Sequence, residues 1–206
     1  MILVAHKVGV VRIDSIEGYS PARPYDILLH LHRMPEHMTP EHWLRGPLPG
    51  IPPLLQPPAH ALVLALEDVD AVVTGTTVQQ LWQRPGGAAS VGFHLMHLAG
   101  STDRLLTYAR GESLSPAQVA ALNAERELGE PYAALDVLLA RWREVVQNAL
   151  RQIAGTPETA LLEGRAVGRA RLPSTVLGLI FHAAEHAQRH VGQIVTTTKI
   201  IRGTQV

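Results

Sequence analysis

Apolar residues recur at helical spacing in four stretches of the chain, which sets the expected architecture. The first runs from about Pro58 to Val73, where Leu62, Leu66, Val69 and Val73 repeat behind the Pro57-Pro58 pair, a start signal because proline is tolerated in a first helical turn. A second begins near Ser90, after Pro85-Gly86-Gly87, and ends at Gly111, a residue suited to the position just past a helix. The third follows Pro131, with Leu135, Leu138, Trp142, Val145, Ala149 and Ile153 in one stripe and Arg141, Arg143 and Glu144 elsewhere. The fourth starts near Pro173-Ser174 and stops at Gly203, spanning about 40 Å at a rise of about 1.5 Å per residue. Two short helices fit the connections, because Thr76-Thr77-Val78-Gln79 and Ser115-Pro116-Ala117-Gln118 both match a capping box. Neither is expected to be a core element. Glu163 to Leu172, with weak alternation and no helical stripe, reads as an irregular loop or short hairpin. Four long helices without a strong strand pattern predict an all-α four-helix bundle.

The first fifty residues break this pattern. Val8-Gly9-Val10-Val11-Arg12-Ile13 fits a short strand, but Pro21, Pro24, Pro35, Pro40, Pro47, Pro49, Pro52 and Pro53 prevent any long element afterwards. The expected organisation is therefore an irregular, proline-rich N-terminal extension over 1–50 and a helical domain over 51–206, with no internal repeat.

A chain of 206 residues supports one domain with a sizeable core. Its 18 basic residues balance 18 acidic ones without a long run of either sign, so nucleic acid and acidic membrane surfaces are not expected partners. The absence of cysteine excludes disulfides, thiolate ligands and a cysteine nucleophile, and it agrees with a reducing compartment. Met1 to Lys7 lacks the cleavage site of a signal peptide, and no apolar run reaches the roughly 18 residues of a membrane helix. A cytoplasmic location is expected.

The eleven histidines carry the candidate chemistry. His182, His186 and His190 recur every fourth residue among Ile180, Phe181, Ala183, Ala184, Ala187, Val191 and Ile194. Imidazoles at that spacing share a helix face, and on an apolar face their ring nitrogens need partners. A transition metal supplies them, but two ligands from one helix hold an ion poorly. The second helical stretch offers His94 and His97, three apart, which cannot both point along one line. His97 is followed by Leu98-Ala99-Gly100-Ser101, small residues that let a neighbouring helix approach, so His97 is the expected ligand and His94 a packing or supporting residue. Three nitrogen ligands leave coordination positions open, as catalytic sites do. His6, His30, His32, His37 and His42 in the extension, and His60 at the bundle end, are expected to be surface or packing residues.

The run His94-Leu95-Met96-His97-Leu98-Ala99-Gly100-Ser101-Thr102-Asp103-Arg104, taken with His186-Ala187-Gln188-Arg189-His190-Val191-Gly192-Gln193-Ile194, resembles the DinB/YfiT-like family of four-helix-bundle metalloproteins. Leu81-Trp82-Gln83-Arg84-Pro85-Gly86-Gly87 adds to the likeness, which covers about residues 51–202. The resemblance implies one divalent metal ion, nickel or zinc, held by His97, His186 and His190. His182 remains an alternative ligand because its spacing to His186 is the same. The first fifty residues have no counterpart in this resemblance.

Some members of that family transfer low-molecular-weight thiols, so the resemblance implies a metal-dependent thiol S-transferase acting on a small-molecule substrate; a homodimer is a separate expectation for the assembly. Lacking cysteine, the chain would take its sulfur nucleophile from a cosubstrate. Arg104 and Arg189 are candidates for binding the carboxylate of such a thiol. The alternatives are a metal-dependent hydrolase, for which Glu185 would be the base despite pointing about 100° from His186, and a non-catalytic, metal-stabilised bundle.

Overall fold

The computed structural model describes residues 4–6, 9–11, 40–126 and 133–203. The chain divides into two compact units, Met1–Pro40 and Glu41–Val206. In the first, β1 (Val4–His6) and β2 (Gly9–Val11) pair antiparallel, Val4 opposite Val11 and His6 opposite Gly9. The expected strand is thus Gly9–Val11; Val8, Arg12 and Ile13 fall outside the described residues, as do Pro21, Pro24, Pro35, His30, His32, His37 and the irregular course expected around them.

The second unit opens with single 3-10 turns at His42–Leu44 and Pro53–Leu55. Between them the Gln56 amide accepts from Leu48 N at 2.8 Å and donates to Leu48 O and Ile51 O, at 3.0 and 2.9 Å. One side chain thereby satisfies three backbone groups of a proline-rich stretch that has no ladder of its own. Helix α1 (Gln56–Val73) follows, then α2 (Val78–Trp82), α3 (Val91–Ala109), α4 (Pro116–Arg126), α5 (Leu135–Ala154) and α6 (Val176–Gly203). The four long helices form the expected all-α bundle. Helix α6 packs against both α1 and α3, and α3 also lies against α5. Leu62, Leu95, Leu98, Trp142, Ile180 and Ile194 are fully buried between them, and each such side chain contributes about 1.5–3 kcal/mol of transfer free energy.

Two local expectations are corrected. The first capping box is one residue later than Thr76: Thr77 Oγ1 accepts from Gln80 N at 3.2 Å, and Gln80 Oε1 accepts from Thr77 N at 2.9 Å. Gly75, at φ +79°, reverses the chain after α1 and commits Thr76 N to Val73 O, so Thr77 is the first residue able to cap. The second box forms as expected between Ser115 and Gln118. The fourth long helix begins at Val176, because Pro173 and Ser174 belong to β4 (Leu172–Thr175), the partner of β3 (Gly164–Val167) in an antiparallel hairpin. Proline lacks an amide donor, yet a two-stranded ribbon tolerates it because both strands are edges.

Candidate metal centre

Helix α3 is capped by Ser90, whose buried hydroxyl accepts from Phe93 N at 3.1 Å. That cap fixes the phase of the helix one turn before His94 and His97. Helix α6 carries His186 and His190 one turn apart, and Ala183, Ala184 and Ala187 around them are small enough for α3 to pack closely. The result brings His97, His186 and His190 together: one ring nitrogen from each lies within 4.8 Å of the others, a group able to hold a metal ion. Ring centroids are 4.6 Å apart for His97 and His190, 4.5 Å for His186 and His190, and 5.3 Å for His97 and His186.

The protonation pattern follows from the partners. His97 Nδ1 lies 2.9 Å from Glu125 Oε2. A carboxylate only accepts, so Nδ1 carries the proton and donates, and His97 Nε2 presents a lone pair. That lone pair is 3.1 Å from His186 Nε2, which must then donate, leaving the His186 Nδ1 lone pair. Among the described residues this atom is buried with no hydrogen-bond partner. A cation bound by His97 Nε2 and His186 Nε2 would replace the proton that those two atoms share. The donor set of three imidazoles therefore fits a divalent transition ion by its chemistry.

Burial, followed by repulsion from neighbouring groups, favours the neutral form of His190, His186 and His94. His190 is pushed down to about 3, first by desolvation and then by His97, His186, His94 and Arg189. His186 and His94 are shifted the same way, again mainly by desolvation. For Glu125, burial alone raises the carboxyl, but hydrogen bonds from His97 and Arg104 outweigh it and hold the group below its ordinary range. Neutral imidazole is the form that binds metal.

The other sequence-predicted residues lie around this cluster in different ways. His94 is buried, its Nδ1 3.1 Å from His190 Nδ1, where it backs the His190 ring. His182 has its ring 5.5 Å from that of His186, but its side chain is 50% exposed and its Nδ1 faces Glu185 at 3.4 Å. Arg104 is buried, with both terminal nitrogens donating to Glu125 at 2.6 and 3.1 Å. Arg189 is exposed and pairs with Glu185. His42 and His60 pair with each other through Nδ1 at 2.9 Å.

Sequence reading missed Glu125, which belongs to a helix expected to stay out of the core, and that expectation is corrected: Glu125 is 6% exposed. One face of α4 also directs Gln118 to Asp103 Oδ2 and Thr107 Oγ1 on α3, at 3.0 and 2.7 Å. The available signal was Gln118 and Glu125 seven residues apart, on one face of an otherwise alanine-rich helix.

Among known proteins, the family model described as the DinB superfamily matches residues 61–194. A crystal structure of a conserved protein from Enterococcus faecalis superposes with a TM-score of 0.56 at 17% identity, covering 72% of this chain and 97% of that one. At that identity the likeness shows the fold. No curated protein matches the sequence. Among the described residues, no helix is long and apolar enough to cross a membrane.

Proposed function

Because the chain belongs to the DinB superfamily and gathers three imidazoles between two helices, we propose that it is a divalent-metal-dependent enzyme of the thiol S-transferase type. The observation that carries this reading is the convergence of His97, His186 and His190 with no charged ligand among them. They would hold one ion, nickel or zinc. When bound, the ion supplies positive charge that favours the thiolate form of a small thiol.

The residues of the chain prepare that site. Glu125 holds the proton on His97 Nδ1, which leaves the lone pair on Nε2, the atom that faces His186. His94 steadies His190 by sharing a proton between the two Nδ1 atoms. Arg189, on the exposed side of α6 beside His190, would meet the carboxylate of a peptidic thiol by exchanging it for Glu185. In the overall reaction a sulfur–carbon bond forms, the bond from that carbon to its leaving group breaks, and the leaving group departs with the electron pair while the thiol proton passes to solvent. A protein without cysteine must draw that sulfur from a cosubstrate. A homodimer is the assembly proposed with this reading. Hydrolysis is less well supported, because Glu185 is engaged by Arg189 and faces His182.

The test is metal-loaded protein screened with glutathione, bacillithiol, mycothiol and cysteine against a halogenated aromatic. Conjugation that disappears in His190→Ala supports the reading. If no thiol perturbs the visible spectrum of cobalt-substituted protein, thiol transfer is abandoned.

A further inference from the structure

We infer that Glu125 of α4 is a positioning residue of the metal centre, reaching His97 across α3 at Gly100, where a side chain would crowd its carboxylate. Its effect on metal affinity rests on the metal reading above, whereas its control of the His97 ring does not.

A Cβ built on Gly100 would collide with Glu125 Oε1 and would stand 2.7 Å from Arg104 Nη1 and 3.3 Å from Glu125 Cδ. The carboxylate therefore occupies the space that a side chain at position 100 would take. From there Oε2 accepts from His97 Nδ1 at 2.9 Å, and Arg104, one helical turn along α3, clamps both oxygens. The opposite constraint comes from Phe93, whose ring stacks on His97 at 5.7 Å with planes 9° apart. A ring fixed by stacking in one direction and by a carboxylate at one nitrogen has a single tautomer and a single azimuth. Glycine in the middle of α3 costs about 1 kcal/mol of helix propensity relative to alanine, and the seat for Glu125 is what that cost provides. A partner of this kind orients a ligating histidine and raises its basicity, and its loss typically weakens metal affinity about 10–100-fold.

The experiment compares Gly100→Ala and Glu125→Gln with wild type and His97→Ala. Gly100→Ala is the decisive variant: it favours the helix, keeps every ionisable residue and crowds the Glu125 carboxylate together with the Arg104 guanidinium that clamps it. Removal of Glu125 as alanine would strand buried Arg104, so glutamine is used instead. Two readouts are taken: Co2+ affinity by visible titration, and the His97 tautomer in metal-free protein by long-range 1H–15N NMR. The expected result is Co2+ binding weakened about 10–100-fold in both variants, with the wild-type Nδ1–H form of His97 replaced by a tautomer mixture in Gly100→Ala. Wild-type affinity within about twofold in both variants, while His97→Ala loses binding, overturns the inference. If wild type binds no Co2+, the metal reading fails by itself, and the tautomer decides the rest: an unchanged Nδ1–H signal in Gly100→Ala overturns the positioning role, and a mixed one supports it.

Discussion

At the scale of single residues, the cluster depends on imidazoles that stay neutral where most histidines begin to charge. His190, held near 3 mainly by desolvation, accepts protons far less readily when folded than in the unfolded chain, where histidine titrates near 6.5. The folded pKa lies below the unfolded one, so stability is fully present above about 6.5 and is lost as pH falls from there toward 3. The lowered His94, His186 and Glu125 act in the same direction. Chelator-treated protein should therefore show a urea midpoint that declines from pH 7 to pH 4, with a shallower decline in His190→Gln. A flat profile would contradict the burial argument. In the same group, alanine at His97, His186 or His190 should abolish stoichiometric metal binding, whereas His182→Ala should retain it, because that side chain is half exposed and turned to Glu185. Metal analysis of the four variants checks this.

At the scale of elements, helices α1, α3, α5 and α6 were legible because each buries a continuous apolar stripe. The i, i+4 pair on α6 was legible for the same reason, since periodicity fixes which residues share a face. What periodicity cannot encode is the pairing of polar residues from different elements. Glu125 acquires its meaning from Arg104 and His97, 21 and 28 residues away in sequence, and the short helix that carries it has no core stripe to advertise it. Helix starts were less legible than helix bodies: β4 absorbed Pro173 and Ser174, and the turn at Gly75 shifted a capping box by one residue. Two outcomes are expected at this scale. Trp142→Ala on α5 removes a fully buried ring and should cost about 3–5 kcal/mol. Ser90→Ala should cost about 1 kcal/mol through the lost cap of α3. Equilibrium urea unfolding measures both.

At the scale of the whole molecule, the three candidate ligands and all four long helices lie within Glu41–Val206. A chain beginning at Glu41 should retain wild-type helical circular dichroism and bind one metal ion; a folded but metal-free product would show that a residue before position 41 contributes to the site. Starting at Glu41 also keeps the Leu48 and Ile51 backbone tied to Gln56, which a later start near Gly50 would partly remove. Metal removal should lower the melting temperature of the full chain while leaving helix content nearly constant. Apolar packing holds the helices, and the ion adds stability in proportion to the logarithm of its free concentration.

Three neutral nitrogens with no thiolate and no carboxylate among them also determine how the site discriminates between ions. Such a set offers no chemical preference beyond the general order in which copper(II) binds most tightly and nickel outranks cobalt. The occupant is then set by supply. Protein isolated on a nickel resin should carry the metal of the resin, and the physiological ion is the one recovered from untagged protein purified in metal-depleted buffers.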